Sequence, residues 1–488
     1  MIDISDPVRA QATMKEQAQE AIKSCKYTQG FDDPDAPADY KVSKNTDKSY
    51  FNHQEDDYDD DTTDFDMTYQ TPNGRGEGFA DGYPDPRCSV GSQLNDLKMY
   101  KAANKDTIEI IEDKLYFLSS DDVPIIDETA FYFETANLPE LKYEPYNHDF
   151  GPLKLSQMHR YCLELVRLLQ DPDYNQNKIY HYCSTGSEDQ ANSVCLIGCF
   201  MIVILGKSAD EAWHCLQPYH KVLKPYCDSL DVSSTYPLSI YDILCGLQRA
   251  ISLGWYDYRT FDVHEYEYYE KVENGDLNWI IPNKIVALMG PSGKRLDKQG
   301  NPSYTPEDYQ DIFRNMNVGH IVRLNKAVYQ KERFTKLGFK FTDLYFKDGS
   351  TPSREIVHKF IEIVESSKKA IAVHCKAGLG RTGTLIGCYS MKNYGFTASE
   401  FIGWARLVRP GSVLGPQQHF LEEIEDELKP PPVENNKLIT MGSMDYSPKY
   451  SNKKNLEMSP LERQRSVYGD KAQANRLISA KKSRKIET

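Results

Sequence analysis

Two residues six positions apart could bind and attack a phosphate group. Cys375 follows the apolar run 370–373 and precedes Arg381, with glycines between them. A loop of this length can curl around one phosphate with its backbone N–H groups turned inward, and the helix predicted to follow adds the positive end of its dipole. That environment lowers the pKa of a cysteine thiol, while a guanidinium offers a planar fork to two phosphate oxygens. The pattern therefore predicts a nucleophilic Cys375 acting on a phosphate monoester.

The neighbours of Cys375 are predicted to complete a phosphate-binding loop. Three glycines at fixed offsets allow close approach and unusual dihedral angles, Thr382 can donate its hydroxyl to the sulfur, and His374 can hold the loop from behind. The alternative, a buried cysteine beside an ordinary turn, leaves the glycines and the strand-to-helix setting unexplained. Apart from the cysteine and the arginine, the loop residues are His374, Lys376, Ala377, Gly378, Leu379, Gly380 and Thr382.

A carboxylic acid is needed to protonate the leaving oxygen, because a serine or threonine alkoxide leaves poorly. Asp348 is the first choice: it lies on a turn-rich loop after a short predicted strand, before an amphipathic helix that Ser353 is expected to cap. That helix leads directly to the strand before Cys375, so the carboxyl group can reach the mouth of the loop. Asp343, on the predicted strand itself, is the second choice.

A third loop, 409–418, ends in two neighbouring glutamines, Gln417 and Gln418. Either side chain could orient the water that hydrolyses a phosphorylated cysteine. The sequence does not distinguish between them, so both are candidates for positioning water.

The composition disfavours several other classes of protein. The formal net charge of -14 at pH 7 does not favour nucleic-acid binding. The start of the chain shows neither the basic region nor the apolar core of a secretory signal, and the longest apolar run, 194–205, is too short to span a bilayer. Eleven cysteines without a Cys-x-x-Cys pair indicate reduced intracellular thiols and no zinc site. We predict that the protein needs no metal and no cofactor.

An internal repeat indicates two copies of one α/β domain. The segment 196–200 matches 385–389, and each copy continues with a glycine and then a Ser/Thr-x-x-Glu capping box that opens a helix. The domain starts also match, because 110–118 and 280–288 share two isoleucines, a lysine and a leucine at the same spacing.

The first copy lacks the residues that the chemistry needs. Where the second copy has Arg381, the first has Asn192 if the helices are aligned, or Asp189 if Cys183 is aligned with the nucleophile. Glu188 and Asp189 would also repel phosphate. We therefore expect an inactive first domain with a structural or substrate-binding role, in which Cys183 is a packed thiol.

The motifs around the predicted loop resemble those of one family. The segments 374–383, 348–352, 409–418 and 266–282 closely resemble the mitotic-exit, or cell-division-cycle-fourteen, dual-specificity protein phosphatases. The resemblance covers about residues 107–425. It implies two tandem dual-specificity-phosphatase-like domains, of which the second is active.

The predicted fold class is α/β, with two tandem domains, a helical linker and disordered tails. The parts are an acidic N-terminal extension (1–107), an inactive domain (108–238), the linker (239–278), a catalytic domain (279–427) and a basic tail (428–488). The acidic run 53–66 is either a solvated tail or a mimic that visits a basic site. The acidic linker stretch 262–270 is either a solvated face or one wall of the active-site groove.

The resemblance also implies a substrate preference. It implies phosphoserine or phosphothreonine substrates, and phosphotyrosine, with a preference for phosphoserine before proline and a basic residue downstream. Such an enzyme would reverse the marks of cyclin-dependent kinases and regulate the cell cycle. An acidic groove would receive the basic residue. Its candidate members are Asp210, Glu211, Glu265, Glu267 and Glu270.

Two other functions use the same features. A phosphoinositide or phosphotyrosine phosphatase would share the loop, although a single loop lysine, Lys376, and an acidic linker do not favour an anionic lipid headgroup. A non-enzymatic phosphoprotein-binding scaffold would be indicated by the loss of Cys375, Arg381 or Asp348, and all three are present.

We predict regulatory signals in the C-terminal tail. Ser447 and Ser459 each precede a proline and are predicted targets of regulatory kinases. The basic run 481–485 is either a nuclear import signal or part of a soluble basic tail. We expect the protein in the nucleus and cytoplasm, with association to the cytoskeleton or spindle.

Overall fold

The computed structural model describes residues 107–121, 130–135, 138, 141–229, 236–296 and 300–429. The acidic run 53–66, the two serines Ser447 and Ser459, and the basic run 481–485 lie outside the described residues. In the part of the chain that is described, no helix combines the length and the apolar character needed to cross a membrane.

The first domain is a four-stranded sheet with helices packed against it. Its elements in chain order are β1 (Ile108–Ile111), β2 (Leu115–Ser119), β3 (Ala130–Glu134), α1 (Leu155–Gln170), β4 (Lys178–Cys183), α2 (Ser187–Val203) and α3 (Ala209–Cys215). The strands lie in the order β1-β2-β4-β3, and all neighbours are parallel except β1 and β2. From Val194 to its end, helix α2 is apolar on every side, as expected for a helix buried between layers.

Two helices connect the domains: α4 (Ile240–Ser252) and α5 (Val263–Tyr269). Helix α4 packs against α2 of the first domain and is buried along one face. Ile243 and Leu247 are fully buried, so this helix is part of the hydrophobic core and not a flexible connection. The segment predicted as a linker therefore contains the expected helices, and it joins the hydrophobic cores of the two domains into one.

The second domain is a five-stranded sheet in the order β5-β6-β9-β7-β8. Its elements are β5 (Leu277–Ile281), β6 (Ile285–Leu288), α6 (Gln310–Asn315), β7 (Val318–Arg323), α7 (Glu332–Thr335), β8 (Lys340–Asp343), α8 (Arg354–Ser366), β9 (Ala370–His374), α9 (Gly380–Tyr394), α10 (Ala398–Val408) and α11 (Pro416–Leu428). Strand β5 begins two residues before the predicted boundary at 279. Strand β9 is buried along its whole length between parallel neighbours, and it delivers Cys375 to the carboxyl edge of the sheet.

The contact between α4 and α10 is unusually close because glycines lie on both helices. A Cβ atom on Gly246 of α4 would lie 2.3 Å from the carbonyl oxygen of Glu400, and one on Gly403 of α10 would lie 2.7 Å from that of Asp242. Backbone therefore meets backbone across the domain boundary, and Arg249 adds a bidentate ion pair with Glu400.

The internal repeat corresponds to the same hairpin in both domains. Asp113 and Asn283 occupy the left-handed region in the two turns, with φ values of 55° and 58°. Each following lysine accepts a backbone hydrogen bond from the central strand, at Ile179 in the first domain and Ile371 in the second. Ile179 and Ile371 therefore occupy equivalent positions in the two sheets. Cys183 lies four residues after Ile179, just as Cys375 lies four residues after Ile371.

Both capping boxes predicted from the repeat are present. The Ser208 hydroxyl accepts a hydrogen bond from the backbone N–H of Glu211, and the Thr397 hydroxyl accepts one from that of Glu400. In each case the glutamate carboxylate accepts a hydrogen bond from the backbone N–H of the cap residue, so α3 and α10 begin in the same way.

Candidate active site

The loop after β9 turns sharply and then becomes the first turn of α9. Gly378 has a φ of 69°, and a Cβ atom there would lie 2.0 Å from the carbonyl oxygen of Leu288. Gly290 approaches the same loop from β6, where a Cβ atom would lie 2.2 Å from the carbonyl oxygen of Cys375. Both positions therefore require glycine, and they hold the loop tightly against the edge of the sheet.

The carbonyl groups of the loop point outward and are all engaged by the surrounding protein. The Lys376 carbonyl accepts from the N–H of Gly290 at 3.0 Å, and that of Gly378 accepts from Nε of Arg409 at 2.9 Å. Within the described residues, the backbone N–H groups of 376–379 donate to no protein acceptor. Tying every carbonyl outward leaves those N–H groups on the inner side of the curve, which is an anion-binding arrangement.

Arg381 is buried at the start of α9 and is held by the loop that carries the predicted acid. Its Nη1 donates to the Phe346 carbonyl at 3.1 Å, and its Nη2 lies 3.0 Å from Oδ1 of Asp348. Its buried Nε has no hydrogen-bond partner among the described residues. The guanidinium thus has a buried donor that is not used within the described protein, as expected of a side chain that binds an oxyanion.

The Cys375 thiol has a lowered pKa. Burial alone would raise the pKa, and this is the largest single influence, but the Arg381 charge and the hydroxyl and backbone N–H of Thr382 together outweigh it. The Thr382 hydroxyl is itself buried without another hydrogen-bond partner in the described chain. The thiolate is therefore favoured by the groups that the sequence predicted around it.

His374 braces the loop from behind as a neutral imidazole. Its Nδ1 lies 3.0 Å from the Cys375 carbonyl, which can only accept, so Nδ1 carries the proton. Its Nε2 then accepts from the hydroxyl of Tyr329 at 2.6 Å. Burial lowers the pKa of His374 to about 4, which keeps the ring neutral at physiological pH. Tyr329 has no motif around it, and sequence reasoning missed it.

A buried ion pair supports the loop from below. Arg409 donates through Nε to the Gly378 carbonyl and through Nη1 to the Asn278 side chain, while its Nη2 lies 2.7 Å from Oδ1 of Asp276. The side chains of Arg409 and Asp276 are 3% and 1% exposed. Asp276 falls in the predicted linker, and no pattern in the sequence marks it as part of the site.

The structure brings Asp348, rather than Asp343, to the phosphate-binding loop. Asp348 reaches Arg381, whereas Asp343 on β8 pairs with Arg323 at 2.7 Å. The loop that carries Asp348 is fixed at a second point, because the Ser350 carbonyl accepts from Nε2 of Gln417 at 3.0 Å.

The two glutamines have different surroundings. Gln417 lies between the acid loop and the phosphate-binding loop, with its Oε1 2.6 Å from the position of a Cβ atom on Gly380. Gln418 is turned away, because its Oε1 accepts from Arg406 at 2.5 Å and its Nε2 donates to Asp228 at 2.9 Å. Of the two candidates for positioning water, only Gln417 faces the loop.

Two members of the predicted acidic groove already carry counter-charges. Arg160 of α1 forms a bidentate ion pair with Glu267, and Lys154 pairs with Glu270. Both carboxylates therefore already have a cationic partner on the neighbouring helix, because α1 packs against α5.

The other three groove candidates are exposed at two places. Glu265 lies in the first turn of α5, and Asp210 and Glu211 lie in the first turn of α3. Asp210 accepts from the Tyr241 hydroxyl, and Glu211 belongs to the capping box of Ser208. The structure thus leaves Glu265 as the exposed acid on α5 without a charged partner among the described residues.

Among the described residues of the first domain, the segment after β4 does not match the phosphate-binding loop. Only residues 184–186 separate β4 from α2, whereas 375–379 separate β9 from α9. Relative to the matched segments 196–200 and 385–389, α2 also begins four residues earlier than α9. Asn192 accepts from the Tyr226 hydroxyl, and Asp189 accepts from that of Ser184. Burial raises the pKa of Cys183 to about 12, the opposite of the shift at its counterpart in the second domain.

The first domain nevertheless contributes to the site. Tyr146 packs against a small apolar cluster formed by Ala377, Leu379 and Leu414, and its hydroxyl donates to the Pro410 carbonyl at 3.3 Å. Its aromatic ring thus covers the outer face of the phosphate-binding loop. No spacing or motif in the sequence points to this residue.

Comparison with known proteins agrees with two related domains. The family model of the N-terminal half of dual specificity protein phosphatases matches residues 109–250, and that of a polymorphic toxin system DSP-PTPase phosphatase matches 296–394. With the two sheets described above, these matches show two tandem dual-specificity-phosphatase-like domains.

Curated relatives match across both domains. Dual specificity protein phosphatase CDC14A of Homo sapiens is 46% identical over 325 residues, which cover 66% of this chain and 54% of that protein. CDC14AB of Danio rerio is 46% identical, covering 66% of this chain and 52% of that protein. The chain thus spans about half the length of these two relatives. CDC14B of Mus musculus is 41% identical over 71% of this chain and 70% of its own length. The chain therefore belongs to the CDC14 family of dual specificity protein phosphatases.

Proposed function

We propose that this chain is a phosphoprotein phosphatase that works through a cysteinyl-phosphate intermediate. The observation that carries the proposal is the loop at 375–381. Its carbonyls accept hydrogen bonds from the surrounding protein, the N–H groups of 376–379 have no protein acceptor among the described residues, and its cysteine has a lowered pKa. The arginine and the acid loop close over the same point. Preorganised donors of this kind stabilise charge that develops on a transferring phosphoryl group.

The first chemical step transfers the phosphoryl group to sulfur. The Cys375 thiolate attacks phosphorus, and a bond forms between sulfur and phosphorus while the bond to the substrate oxygen breaks. Asp348 gives its proton to that oxygen, which leaves as a serine, threonine or tyrosine hydroxyl. Arg381 and the loop N–H groups hold the three remaining phosphate oxygens throughout.

The second step hydrolyses the intermediate. Gln417 orients a water molecule, which attacks phosphorus while Asp348 takes its proton. The bond between phosphorus and sulfur breaks, which restores the thiolate and releases inorganic phosphate. The position of Gln417 between the two loops supports this role.

The proposed substrates are phosphoserine-proline sites with a basic residue downstream, made by cyclin-dependent kinases. Membership of the CDC14 family supports a role in the cell cycle. The exposed Glu265, with Asp210 and Glu211 as further candidates, would receive the basic residue. Regulation by kinases at Ser447 and Ser459, and localisation to the nucleus and cytoplasm with spindle or cytoskeletal association, belong to the same proposal.

The test is hydrolysis of a peptide panel by wild-type protein, Cys375→Ser and the matched control Cys183→Ser. The panel contains phosphoserine-Pro-x-Lys, the same peptide without lysine, phosphothreonine-Pro, phosphotyrosine and a soluble phosphoinositide headgroup. We expect turnover of the first peptide to be fastest, to vanish in Cys375→Ser and to persist in Cys183→Ser. Faster turnover of the headgroup would refute the protein substrate, and activity in Cys375→Ser would refute the mechanism.

A second pair of variants tests the acid. Asp348→Asn should slow phosphoserine hydrolysis by about 10²–10⁴-fold, because the alkoxide then leaves without a proton. An aryl phosphate, whose leaving group is a weaker base, should be affected much less. Asp343→Asn is the matched control and should leave both rates near those of wild type. Equal losses on both substrates would contradict the role of Asp348 as general acid.

A further inference from the structure

The loop that carries Gln417 is held by a residue of the other domain. Asp228 lies in the first domain, and its Oδ2 accepts from the backbone N–H of Gly415 at 2.5 Å and from Nε2 of Gln418 at 2.9 Å. Asp228 is buried, and so are both of its partners. These two bonds cross the domain boundary, one to the residue two positions before Gln417 and one to the residue directly after it.

The backbone at this point needs an external support. Gly415 has a φ of 54° and precedes Pro416, the first residue of α11. The N–H of Gly415 is buried, so leaving it without an acceptor would be costly. The Asp228 carboxylate supplies that acceptor, and it fixes the point at which the helix carrying Gln417 begins.

The charge of Asp228 is balanced within the same network. Gln418 bridges Asp228 to Arg406, which also donates to the Val413 carbonyl at 3.0 Å. The carboxylate and guanidinium line one cavity between the domains, next to Pro410 and Gly411. The segment before α11 is thus held on both sides by buried charged groups that form hydrogen bonds.

We propose that Asp228 is a positioning residue that sets the place of Gln417 and thereby the rate at which the phosphocysteine is hydrolysed. It touches no reacting atom itself. This inference rests on the proposed function, and it assigns the inactive domain a part in the second chemical step. The first step depends on Cys375, Arg381 and Asp348, whereas the hydrogen bonds described above join Asp228 to Gly415 and Gln418.

The test is the transient and steady-state kinetics of Asp228→Asn on an aryl phosphate. Asparagine keeps the shape and one acceptor oxygen but loses the charge, so we expect the loop to shift without unfolding. A small displacement of a positioning group can slow a step by up to about 100-fold, and we expect kcat to fall about tenfold. KM should fall in parallel, so that kcat/KM, which reports the first step, stays within about twofold of wild type.

The intermediate provides a direct readout. A pre-steady-state burst of the aryl alcohol should appear, and intact-mass measurement after an acid quench should show phosphate on Cys375. Gln417→Ala should behave in the same way. The double variant of Asp228→Asn with Gln417→Ala should be no slower than Gln417→Ala alone, because the two residues act on one step.

Two further variants separate positioning from loss of stability. Asp242→Asn is the matched control, because Asp242 also accepts two hydrogen bonds, both from Ser239 within the cap of α4. It should leave kcat and the burst unchanged. Asp228→Glu keeps the charge near Arg406 but displaces the carboxylate, and should reproduce the burst if Asp228→Asn fails to fold.

The outcomes distinguish this inference from the proposed function. A parallel fall of kcat and kcat/KM in the Asp228 variants, or no change in either, would overturn the positioning role. If Gln417→Ala traps phosphate on Cys375 but the Asp228 variants do not, only the positioning role fails. If neither wild type nor Gln417→Ala ever carries phosphate on Cys375, the proposed mechanism itself fails.

Discussion

Replacing Asp276 by asparagine should destabilise the protein and loosen the phosphate-binding loop. Arg409 and Asp276 form a buried pair 2.7 Å apart, with both side chains almost completely covered. Removing one partner of a buried pair typically costs about 3–5 kcal/mol, because the other charge stays buried without compensation. Arg409 keeps acceptors at Asn278 and the Gly378 carbonyl, so we expect a loss near the lower limit, about 3 kcal/mol.

The assay compares Asp276→Asn with an exposed pair in the same protein. Asp257 pairs with Arg259, whose side chains are 38% and 62% exposed, so Asp257→Asn should cost less than about 1 kcal/mol. Thermal unfolding should show the difference, since each kcal/mol shifts Tm by about 2–4 °C in domains of 150–250 residues. The predicted loss for Asp276→Asn is then a fall in Tm of about 6–12 °C.

The same variant should bind inorganic phosphate more weakly, because Arg409 orients the outward-facing carbonyls that turn the loop N–H groups inward. Competitive inhibition by phosphate measures this. The reasoning would be refuted if Asp276→Asn changed the free energy of unfolding no more than Asp257→Asn did, or if it lowered Tm without weakening phosphate binding.

Three further predictions follow from individual positions. At pH 7 iodoacetamide should alkylate Cys375 far faster than Cys183, whose pKa of about 12 leaves roughly one thiol in 10⁵ ionised, and comparable rates by mass spectrometry would contradict the contrast. Gly378→Ala should abolish turnover and lower Tm, because the added Cβ atom would clash with the backbone of Leu288. Gly300→Ala is the control: Gly300 has a φ of 83° and open space around it, so the substitution should cost only the left-handed strain of about 1–2 kcal/mol. Similar Tm values for the two variants would contradict the predicted clash. Burial lowers the pKa of His374 from 6.5 to about 4, so between these pH values the unfolded chain binds more protons than the folded chain. The free energy of unfolding should therefore fall by up to about 3 kcal/mol as the pH drops from 6.5 to 4. His374→Asn should flatten this pH dependence, and an unchanged pH profile in the variant would refute the prediction.

Sequence reasoning identified the parts of the site that are local in the chain. The spacing of Cys375 and Arg381, the glycines between them and the acid after a short strand each depend on one contiguous segment. The repeat was also recoverable, because its hairpins and capping boxes are short motifs that the structure shows in both domains. Local geometry of this kind is encoded by neighbouring residues, and pattern reasoning reaches it.

The parts that sequence reasoning missed depend on contacts between distant segments. Tyr329 hydrogen-bonds to His374, 45 positions away in the sequence, and Asp228 hydrogen-bonds to Gln418, 190 positions away. Neither Tyr329 nor Asp228 lies in a recognisable motif. Adjacent Gln417 and Gln418 could not be distinguished, because which one faces the loop depends on where α11 begins. The groove acids posed the same difficulty, since the cation that neutralises Glu267 comes from the packing of α1 on α5.

The glycine contacts between α4 and α10 have a consequence for how a substrate enters. Any movement of one domain against the other would require sliding these helices, and at Gly246 and Gly403 each backbone already touches the other. The two domains therefore have no hinge at this joint, and we expect them to move as one rigid body on the microsecond-to-millisecond timescale of domain closure. On the proposed function, a phosphopeptide would then meet a site whose shape is set when the protein folds. Selection among the proposed substrates would fall to the fit of the extended peptide chain, and not to a closing motion that tightens around the correct one.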